Sequence, residues 1–384
     1  MKNTLWDDII SFVRDKYNKP EGLVPLHEPR FRGNERKYVL DCIDTTFVSS
    51  VGEYVGRFEE VIAAYTGSEY AVAVVNGTSA LHLALKLAGV ESGDEVITQP
   101  LTFIATANAI AYTGARPLFT DIDKDTLGLS PSCLEEFLEK NCHRGDGGYT
   151  YNNSTGRRIA ACVPMHTFGH PCRIDELRAI CDRYCIVLVE DAAESLGSFY
   201  KERHTGTFGH LGILSFNGNK IVTTGGGGMI LTGDRIMAQH AKHLTTQAKV
   251  PHRWEYRHDE TGYNYRLTNI QAALGCAQME MITSFVESKR KLADSYRSFF
   301  ASHGVEFFIE PAGATSNYWL NAILLSGRDE RDAFLEYTND RGLQTRPAWD
   351  LMTTLPMFSD CQSAPLPNAK YIADRLVNIP SSVI

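Results

Sequence analysis

The amino-acid sequence predicts an α/β fold, with a mostly parallel seven-stranded sheet flanked by helices and a smaller α+β domain at the C-terminal end. First, short apolar runs of four to seven residues alternate with longer helical patterns, which is typical of parallel sheets covered on both faces. Second, this alternation stops near residue 268, where one long helical pattern begins and reaches about residue 302. Third, 384 residues suffice for two or three hydrophobic cores.

Each predicted strand is a short apolar run that ends at polar or turn-forming residues. The predicted strands are Tyr70–Val75, Glu95–Thr98, Arg116–Thr120, Ile159–Pro164, Cys185–Glu190, Gly212–Phe216 and Gly228–Thr232. The predicted intervening helices are Ser79–Leu87, Phe103–Tyr112, Leu134–Lys140 and Ile174–Tyr184. The Gly- and Asn-rich segment 142–158 is predicted to be a surface loop or hairpin.

The start of the chain is predicted to be an amphipathic helix. Apolar residues stand at helical spacing with acidic residues between them, at positions Leu5, Trp6, Ile9, Ile10 and Val13. A signal peptide has instead a basic start and an unbroken apolar stretch. We therefore expect an N-terminal helix and arm over 1–40, a large domain over 41–255, and a small domain over 256–384 that begins with the long helix.

Charge, hydropathy and cysteine content exclude several classes of protein. The chain has 38 Lys and Arg against 46 Asp and Glu, a formal net charge of −8, and no Lys/Arg-rich run, so we expect no nucleic-acid partner. No apolar run approaches the ~18 residues that span a bilayer, so we expect no membrane segment. The 9 cysteines are scattered without Cys-x-x-Cys spacing, which predicts reduced core thiols in a cytoplasmic protein and no metal site.

Of three glycine-containing segments, only Asn76–Ser79 has the context of a phosphate-binding loop. Gly225–Gly228 lacks the third glycine of a dinucleotide fingerprint, and Gly218–Lys220 lacks the Gly-Lys-Ser/Thr order of a P-loop. Asn76–Ser79 directly follows a predicted strand and precedes a helix, whose free N–H groups and dipole favour an anion. Taken alone, the segment is more typical of a capped turn that binds no ligand.

A second group of residues supplies the other parts of a pyridoxal phosphate (PLP) site. Asp191 follows a buried strand at the edge where α/β proteins bind ligands, Lys220 stands on a turn further along the chain, and Phe103 follows another strand. PLP needs a lysine amine for its Schiff base, a carboxylate at its ring nitrogen, a phosphate site and an aromatic face. Separately, Asp191 is also consistent with a helix cap and Lys220 with a solvated turn cation.

Seven motifs, in order, resemble the DegT/StrS-type sugar-nucleotide aminotransferases, which are PLP-dependent transferases of fold type I. They are Asn-Gly-Thr-Ser-Ala-Leu (76–81), Gly-Asp-Glu-Val-Ile (93–97), Thr-Phe-Ile-Ala-Thr (102–106), Gly-Ala-Arg-Pro (114–117), Glu-Asp-Ala-Ala-Glu (190–194), Ser-Phe-Asn-Gly-Asn-Lys (215–220) and Gly-Tyr-Asn-Tyr-Arg-Leu-Thr (262–268). The segments 25–35 and 47–52 further resemble the branch that aminates a 4-keto-6-deoxy-N-acetylhexosamine nucleotide on the way to legionaminic acid or related sugars.

The resemblance implies a role for each matched residue around the cofactor ring. Lys220 is implied to form the Schiff base and then to move protons between cofactor and substrate carbons. Asp191 is implied to pair with the pyridine nitrogen, Phe103 to stack on one ring face, and Glu194 to contact the phenolic oxygen. Relatives often carry Gln at 194 and Glu at 226, where this chain has Glu and Gly, and His210 stands where an acid is common.

Other residues are implied to bind the cofactor phosphate or are candidates for substrate contact. The implied phosphate ligands are Gly77, Thr78, Ser79, Ser215 and, from the partner subunit of a homodimer with shared active sites, Asn264. The candidates for substrate contact are His166, Arg30, Arg257 and Arg266, the arginines because guanidinium groups suit a diphosphate. His166 is equally consistent with core packing, and surface arginines are common without a ligand.

The implied activity is a transamination in two half-reactions. L-Glutamate leaves its nitrogen on the cofactor as pyridoxamine phosphate (PMP) and departs as 2-oxoglutarate, and a keto-sugar nucleotide then receives the nitrogen at C4. The favoured acceptor is UDP-2-acetamido-2,6-dideoxy-4-keto-hexose, for surface-glycan or nonulosonic acid biosynthesis. The alternatives are GDP-4-keto-6-deoxymannose giving perosamine, a dTDP-keto sugar, a PMP-dependent dehydratase in which histidine replaces the lysine, and a non-catalytic protein of the same fold.

Overall fold

The computed structural model describes the backbone of residues 2–384 and the side chains of 4–145 and 147–384, and its centre is a seven-stranded sheet. The strands are β1 (Tyr70–Val74), β2 (Glu95–Thr98), β3 (Arg116–Phe119), β4 (Ile159–Val163), β5 (Val187–Asp191), β6 (Leu211–Ser215) and β7 (Gly228–Thr232). Their order is β1-β7-β6-β5-β4-β2-β3, and β7 runs antiparallel to both of its neighbours while the other pairs are parallel. The predicted mostly parallel α/β sheet is confirmed.

Twelve α-helices within residues 2–384 flank this sheet and a smaller one. They are α1 (Lys2–Lys16), α2 (Glu35–Asp44), α3 (Glu53–Thr66), α4 (Gly77–Leu87), α5 (Ile104–Tyr112), α6 (Pro131–Asn141), α7 (Ile174–Tyr184), α8 (Arg235–Thr245), α9 (Asn269–Met279), α10 (Ile282–Ser302), α11 (Arg328–Asp340) and α12 (Pro367–Ala373). The smaller sheet is antiparallel and comprises β8 (Glu306–Phe307), β9 (Asn321–Leu324), β10 (Arg346–Pro347) and β11 (Leu376–Ile379). None of these helices is both long and apolar enough to cross a membrane.

Three predicted elements begin two or three residues away from their observed starts, for local reasons. Helix α4 begins at Gly77 rather than Ser79, because Asn76 caps it. Strand β5 begins two residues after Cys185, because Cys185 adopts a left-handed conformation (φ 53°) that ends α7. Helix α6 begins at Pro131 rather than Leu134, because the Ser130 side chain accepts a hydrogen bond from Cys133 N and Pro131 suits the first helical position. The Gly- and Asn-rich segment forms the expected hairpin, with strands at Cys142–Arg144 and Thr150–Asn152.

The predicted single helix from 268 to about 302 is two helices, α9 and α10. The break lies at Glu280 and Met281, where Met281 N donates to Gln278 O at 3.0 Å. Ala272, Ala273 and Cys276 of α9 join the core beside the large sheet, and so do Ile282 and Phe285 at the start of α10. The later part of α10 packs with the small sheet. The second helix therefore connects the two cores.

The N-terminal helix packs against the C-terminal part of the chain. The apolar face of α1 shares a core with α10, α11 and the small sheet, and Val24 bridges to Leu343. The sequence pattern predicts the apolar face of α1 but not the surface it covers, because that surface is formed by residues about 300 positions later in the chain. The division of the chain at 40 and 255 stays a prediction.

All 9 cysteines are free thiols, as the sequence predicts, but they are not all core residues. Cys185 is exposed, and Cys133, Cys142 and Cys361 are only partly buried. Cys185 is exposed because the left-handed turn that ends α7 places it at the surface. The prediction of core thiols is therefore wrong for these positions.

Candidate active site

A cavity of about 330 Å³ lies at the carboxyl edge of the parallel strands, where β5 and β6 end at Asp191 and Ser215. This is the edge at which open α/β sheets bind ligands. The residues predicted from the sequence that line it are Gly77, Thr78, Phe103, Asp191, Glu194, Ser215 and Lys220. These residues lie on six different elements or turns, so the fold brings together side chains that are up to 143 positions apart in the chain.

The N-terminus of α4 forms one wall of the cavity. Asn76 caps the helix, because its Oδ1 accepts a hydrogen bond from Ser79 N at 2.7 Å. The first N–H groups of a helix have no intrahelical acceptor, so the Gly77 and Thr78 end of α4 suits an anion. A Cβ built on Gly77 would lie 2.9 Å from the Ser215 Cβ. Glycine is therefore needed for β6 to approach the start of α4 this closely.

Asp191 is the last residue of β5 and is 4% exposed. Its Oδ2 accepts a hydrogen bond from Thr106 Oγ1 at 2.7 Å, and its Oδ1 accepts one from Ala193 N at 3.2 Å. Burial raises the pKa of this carboxyl above its ordinary value, although the two hydrogen bonds act in the opposite direction. Burying an ionised carboxylate without a cationic partner costs free energy. A ligand with a cationic group opposite Asp191 would offset this cost.

The neighbouring acid, Glu190, points to the other face of the sheet because successive side chains of a strand alternate. Glu190 is fully buried, and its carboxylate accepts hydrogen bonds from Gly206 N at 2.8 Å and Gly209 N at 2.5 Å. His166 Nε2 lies 3.0 Å from Glu190 Oε2. Of the two adjacent acids, Asp191 therefore serves the cavity and Glu190 serves the core.

Lys220 follows a turn in which its backbone N donates to Asn217 O at 3.0 Å. The Nζ atom is 3.3 Å from Glu194 Oε1 and 3.8 Å from the centroid of the Trp319 ring. Glu194 Oε2 accepts a hydrogen bond from Phe168 N at 2.9 Å. Burial raises the pKa of Glu194 to about 7, with the Lys220 cation opposing the shift. Glu194 is thus able to hold a proton near neutral pH.

Two aromatic side chains border the cavity opposite the sheet edge. Phe103 immediately precedes α5 and is 49% exposed, which leaves a face free to stack on a ligand. Trp349, from the chain segment after β10, lies with its ring centroid 6.3 Å from that of Phe103. Exposure of a large aromatic at a cavity mouth is consistent with the predicted stacking role of Phe103.

Six predicted site residues lie outside this cavity, three of them arginines that are described below. The backbone N of Ser79 is already bonded to Asn76, and the residue is buried beneath the cavity wall. His166 is fully buried between Glu190 and Cys172, whose backbone N donates to His166 Nδ1 at 3.2 Å, so it packs under the site and does not line it. Asn264 is exposed, bridges to Thr246 and does not line the cavity of its own chain.

The predicted arginines are dispersed. Arg30 pairs with Glu28 and donates to Val383 O at 2.9 Å, and Arg257 is an exposed residue that pairs with Glu255 at 2.6 Å. Arg266 lines a separate surface cavity of about 560 Å³. The other residues around that second cavity are Thr246, Lys249, Pro251, His252 and Arg253. The structure therefore places one of the three arginines, Arg266, in a cluster of cations.

The positions at which the sequence departs from its relatives have different surroundings. Gly226 lines the cofactor cavity, and its carbonyl accepts a hydrogen bond from Thr224 Oγ1 at 2.8 Å. His210 lies elsewhere: its Nδ1 accepts from Leu188 N at 3.2 Å, and its Nε2 is 3.4 Å from Arg178 Nη2. His210 therefore links β5 to the start of β6 and does not reach the cavity.

Thr106, Trp319 and Trp349 are among the cavity side chains that sequence reasoning missed. Thr106 lies inside a recognised motif, so its position on the first turn of α5 was a usable signal for a bond to the β5 carboxylate. The two tryptophans come from the region of the small sheet. The residues adjacent to them in the sequence give no signal of a role in the site, because their positions beside Lys220 and Phe103 depend on the tertiary fold.

The geometry of the cavity fits PLP. It contains a lysine amine, a buried carboxylate in need of a cation, a helix N-terminus and an aromatic face, and its volume lies within the range of small-molecule sites. Lys220 and Asp191 would hold the aldehyde end and the ring nitrogen, and Gly77, Thr78 and Ser215 the phosphate. The residues present fit the cofactor.

The fold and the cavity together define the class of protein, a PLP-dependent transferase of fold type I. The model of the DegT/DnrJ/EryC1/StrS aminotransferase family matches residues 29–383. The chain belongs to this family of sugar aminotransferases, which confirms the resemblance found in the sequence and the cofactor predicted from it.

Known relatives cover nearly the whole chain. GDP-perosamine synthase of Escherichia coli O157:H7 is 38% identical over 359 residues, which are 93% of each protein. GDP-perosamine synthase of Vibrio cholerae is 35% identical over 362 residues, 94% of each. Among solved structures, the aminotransferase TlmJ from Streptoalloteichus hindustanus has a TM-score of 0.84 at 28% identity, covering 94% of this chain and 93% of its own. The sugar aminotransferase CalS13 from Micromonospora echinospora has a TM-score of 0.81 at 26% identity, covering 94% and 95%.

Proposed function

We propose that this protein transfers the amino group of L-glutamate to the C4 keto group of a nucleotide-linked 4-keto-6-deoxy sugar, UDP-2-acetamido-2,6-dideoxy-4-keto-hexose. The observation that carries the proposal is one cavity in which Lys220 Nζ lies 3.3 Å from Glu194, beside the buried Asp191 carboxylate. The resemblance of segments 25–35 and 47–52 to the N-acetylhexosamine branch supports the choice of acceptor. The amino sugar would serve surface-glycan or nonulosonic acid biosynthesis, such as that of legionaminic acid, in the cytoplasm.

The chain's own residues carry the proton transfers. When bound, PLP supplies a ring that accepts electron density from the reacting carbon. Among the lysines whose side chains the structure describes, Lys220 alone lines the cavity, and its amine takes the proton from the α-carbon of glutamate and later delivers a proton to C4 of the sugar. Asp191, held by Thr106, keeps the ring nitrogen protonated.

Glu194 is proposed to share a proton with the phenolic oxygen of the cofactor. An ionised carboxylate beside a phenolate repels it, whereas a protonated one donates a hydrogen bond. Burial raises the pKa of Glu194 to about 7, so its protonated form is present near neutral pH. This supports a role for Glu at a position where relatives often carry the neutral side chain of Gln.

The second cavity supports binding of the nucleotide diphosphate. Lys249, His252, Arg253 and Arg266 surround it in a chain whose net charge is −8, so this local cluster, and not the overall field, attracts an anion. Asn264 is exposed and lies close to Arg266 in the sequence. We assign the cluster and Asn264 to the active site of the partner subunit in a homodimer.

A homodimer is further supported by exposed apolar residues along the N-terminal arm, α2 and the segment that follows it. The exposed fractions of these side chains lie between 53% and 61%, at Phe31, Leu40, Ile43, Phe47 and Val51. Large apolar side chains concentrated on one stretch of surface favour a protein interface. Trp254 and Tyr256, beside the cationic cavity, are 70% and 82% exposed and would extend that interface.

A second acceptor, GDP-4-keto-6-deoxymannose, is supported by the comparisons. The relatives from Escherichia coli and Vibrio cholerae are named GDP-perosamine synthases and align over almost the full chain. Both acceptors carry a C4 ketone and a C6 methyl group, so the same lysine and carboxylates serve either one. The two proposals differ in the nucleotide and in the substituent at C2.

A panel of sugar nucleotides tests the choice. Purified protein with PLP and L-glutamate would be offered the UDP-linked N-acetyl sugar, GDP-4-keto-6-deoxymannose, a dTDP-linked 4-keto-6-deoxy sugar and a 3-keto sugar nucleotide, and products would be identified by mass and NMR. We expect a 4-amino product with the UDP sugar at a kcat/KM at least ~10-fold above the others. Amination of the GDP sugar in preference would establish the second candidate, and amination of a 3-keto sugar alone would refute both.

A further inference from the structure

Trp319 contacts both the side chain of Lys220 and the backbone of the residue before it. Its ring centroid lies 3.8 Å from Lys220 Nζ, and its indole N–H donates a hydrogen bond to the Asn219 carbonyl at 2.7 Å. Trp319 is 4% exposed and lines the cofactor cavity. One side chain therefore fixes the turn that carries the lysine and also faces the amine at its end.

The position of Trp319 is set by buried hydrogen bonds on its other side. Its backbone N donates to Asn317 Oδ1 at 2.8 Å, and its carbonyl accepts from Lys289 Nζ at 3.1 Å. The Asn317 amide donates in turn to Glu194 O at 2.9 Å. Lys289 and Asn317 are fully buried. Trp319 is thus held between helix α10 and the segment that follows β5, with little freedom to move away from Lys220.

We propose that Trp319 is a positioning residue that holds the free amine of Lys220 at the cofactor site. A lysine side chain has four rotatable bonds, and fixing it in one position loses conformational entropy. An aromatic face attracts an ammonium group, and the bond to Asn219 removes freedom from the turn, so this loss has already occurred before the cofactor arrives. The proposal rests on Lys220 being the lysine that bonds to PLP, and it is independent of the sugar acceptor.

If Trp319 acts through Lys220, its loss should change the affinity for PLP and the affinity for PMP differently. PLP is bound through the lysine as well as through its phosphate and ring, whereas PMP already carries an amine and makes no bond to the lysine. A residue that acts through Lys220 affects the affinity for PLP and leaves that for PMP nearly unchanged. A residue that is merely part of the cavity wall affects both alike.

The experiment compares the affinities of the apoprotein for PLP and PMP in Trp319→Leu, Trp319→Phe and the wild type, by titration followed in fluorescence and absorbance. Without Trp319, Lys220 and its turn would have to be ordered when PLP binds, which predicts a ~10-fold weaker affinity for PLP in Trp319→Leu and a less than ~2-fold change for PMP. Trp319→Phe keeps a ring face and should recover part of the loss. Trp6→Phe, at a buried tryptophan that packs on Phe334, is the matched control and should change neither affinity.

A double-mutant cycle makes the test specific to Lys220. In a Lys220→Ala background, adding Trp319→Leu should change the affinity for PLP by less than ~2-fold, because the group through which Trp319 acts is absent. Equal weakening for PLP and PMP, or the same ~10-fold loss without the lysine, overturns the proposal. If Trp319→Leu fails to fold, Trp319→Phe carries the same comparison, and an unchanged affinity for PLP in that soluble variant also overturns it. These titrations contain no sugar nucleotide, so their outcome is separate from the panel of acceptors.

Discussion

Asp191 and Glu194 are carboxylates three positions apart, yet their surroundings give them different tasks. Asp191 accepts two hydrogen bonds at the end of β5, and Glu194 faces the Lys220 amine at 3.3 Å. Burial raises the pKa of both groups. Asp191 accepts hydrogen bonds only from neutral donors, so the cationic ring nitrogen of the cofactor would stabilise its ionised form.

Asp191→Asn is expected to slow the donor half-reaction without preventing cofactor binding. An amide cannot keep the ring nitrogen protonated, but it still accepts the hydrogen bond from Thr106 and preserves the shape of the cavity. We expect a loss on the order of 100-fold in the rate of the glutamate half-reaction, measured by stopped-flow absorbance. Thr106→Val, which removes only the donor to Asp191, should show a smaller loss. An unchanged rate in Asp191→Asn would refute the role given to this carboxylate.

Glu194 is expected to make the stability of the apoprotein fall as pH rises. The pKa of its carboxyl is about 7 in the folded state against 4.5 for the ordinary group, so the unfolded chain releases this proton first. The free energy of unfolding should then decrease between about pH 4.5 and 7, by up to about 3 kcal/mol. Glu194→Gln lacks this contribution.

The measurement is urea unfolding of apoprotein at several pH values, with wild type and Glu194→Gln compared. Buried His170 and His204, whose pKa values are lowered to about 3 and about 4 by burial, produce the opposite slope below pH 6.5. Because both proteins contain these histidines, the difference between the two curves isolates Glu194. Parallel curves would contradict the raised pKa of this carboxyl.

Helix α4 shows what an element contributes to the site beyond its side chains. Strand β1 ends at Val74, Asn76 caps the helix, and β6 passes close enough that Gly77 leaves no room for a Cβ. Strands β1 and β6 and the Asn76 cap therefore place the N-terminus of α4 at the cavity. The sequence contains the strand, the turn and the helix locally, so the β1–α4 turn could be predicted from residues 76–79, whereas a ligand at this turn could not be predicted from them alone.

Gly77→Ala is expected to impair PLP binding with little loss of fold. The added Cβ would lie 2.9 Å from the Ser215 Cβ, so β6 and the start of α4 must separate. We expect a ~10-fold or larger rise in the Kd for both PLP and PMP, since both carry the phosphate, measured by titration of apoprotein. Gly56→Ala on α3, where nothing lies within 4 Å of the added Cβ, is the control and should bind normally. Normal binding by Gly77→Ala would contradict the phosphate site.

Across the whole molecule, the features that could be predicted from the sequence are those determined by residues adjacent in the chain. The β1–α4 turn, Asp191 at the end of β5 and Lys220 on its turn were all marked by neighbours in the chain. Trp319 was missed because its position beside Lys220 is set by hydrogen bonds to Asn317 and Lys289. The surface under α1 and the break between α9 and α10 likewise depend on cores formed by distant segments.

Mixing two inactive variants tests the shared active site of the proposed homodimer. Lys220→Ala lacks the lysine, and Asn264→Ala lacks the phosphate contact given to the partner. In a hybrid dimer, one site combines an intact Lys220 with the intact Asn264 of the other chain. After unfolding and refolding an equal mixture, we expect about a quarter of wild-type activity. If each site is built from a single chain, every site in the mixture is defective and activity should stay at the level of the separate variants.

The central claim, that Lys220 in this cavity performs a glutamate-dependent transamination with PLP, is tested most directly by a single half-reaction. Purified protein loaded with PLP would be mixed with L-glutamate in the absence of any sugar, and visible absorbance and 2-oxoglutarate would be followed together. We expect the visible band to bleach while about one 2-oxoglutarate forms per site, and Lys220→Ala to bind PLP through the phosphate site yet show neither change. No bleaching in the wild type, or equal turnover in Lys220→Ala, would contradict the claim.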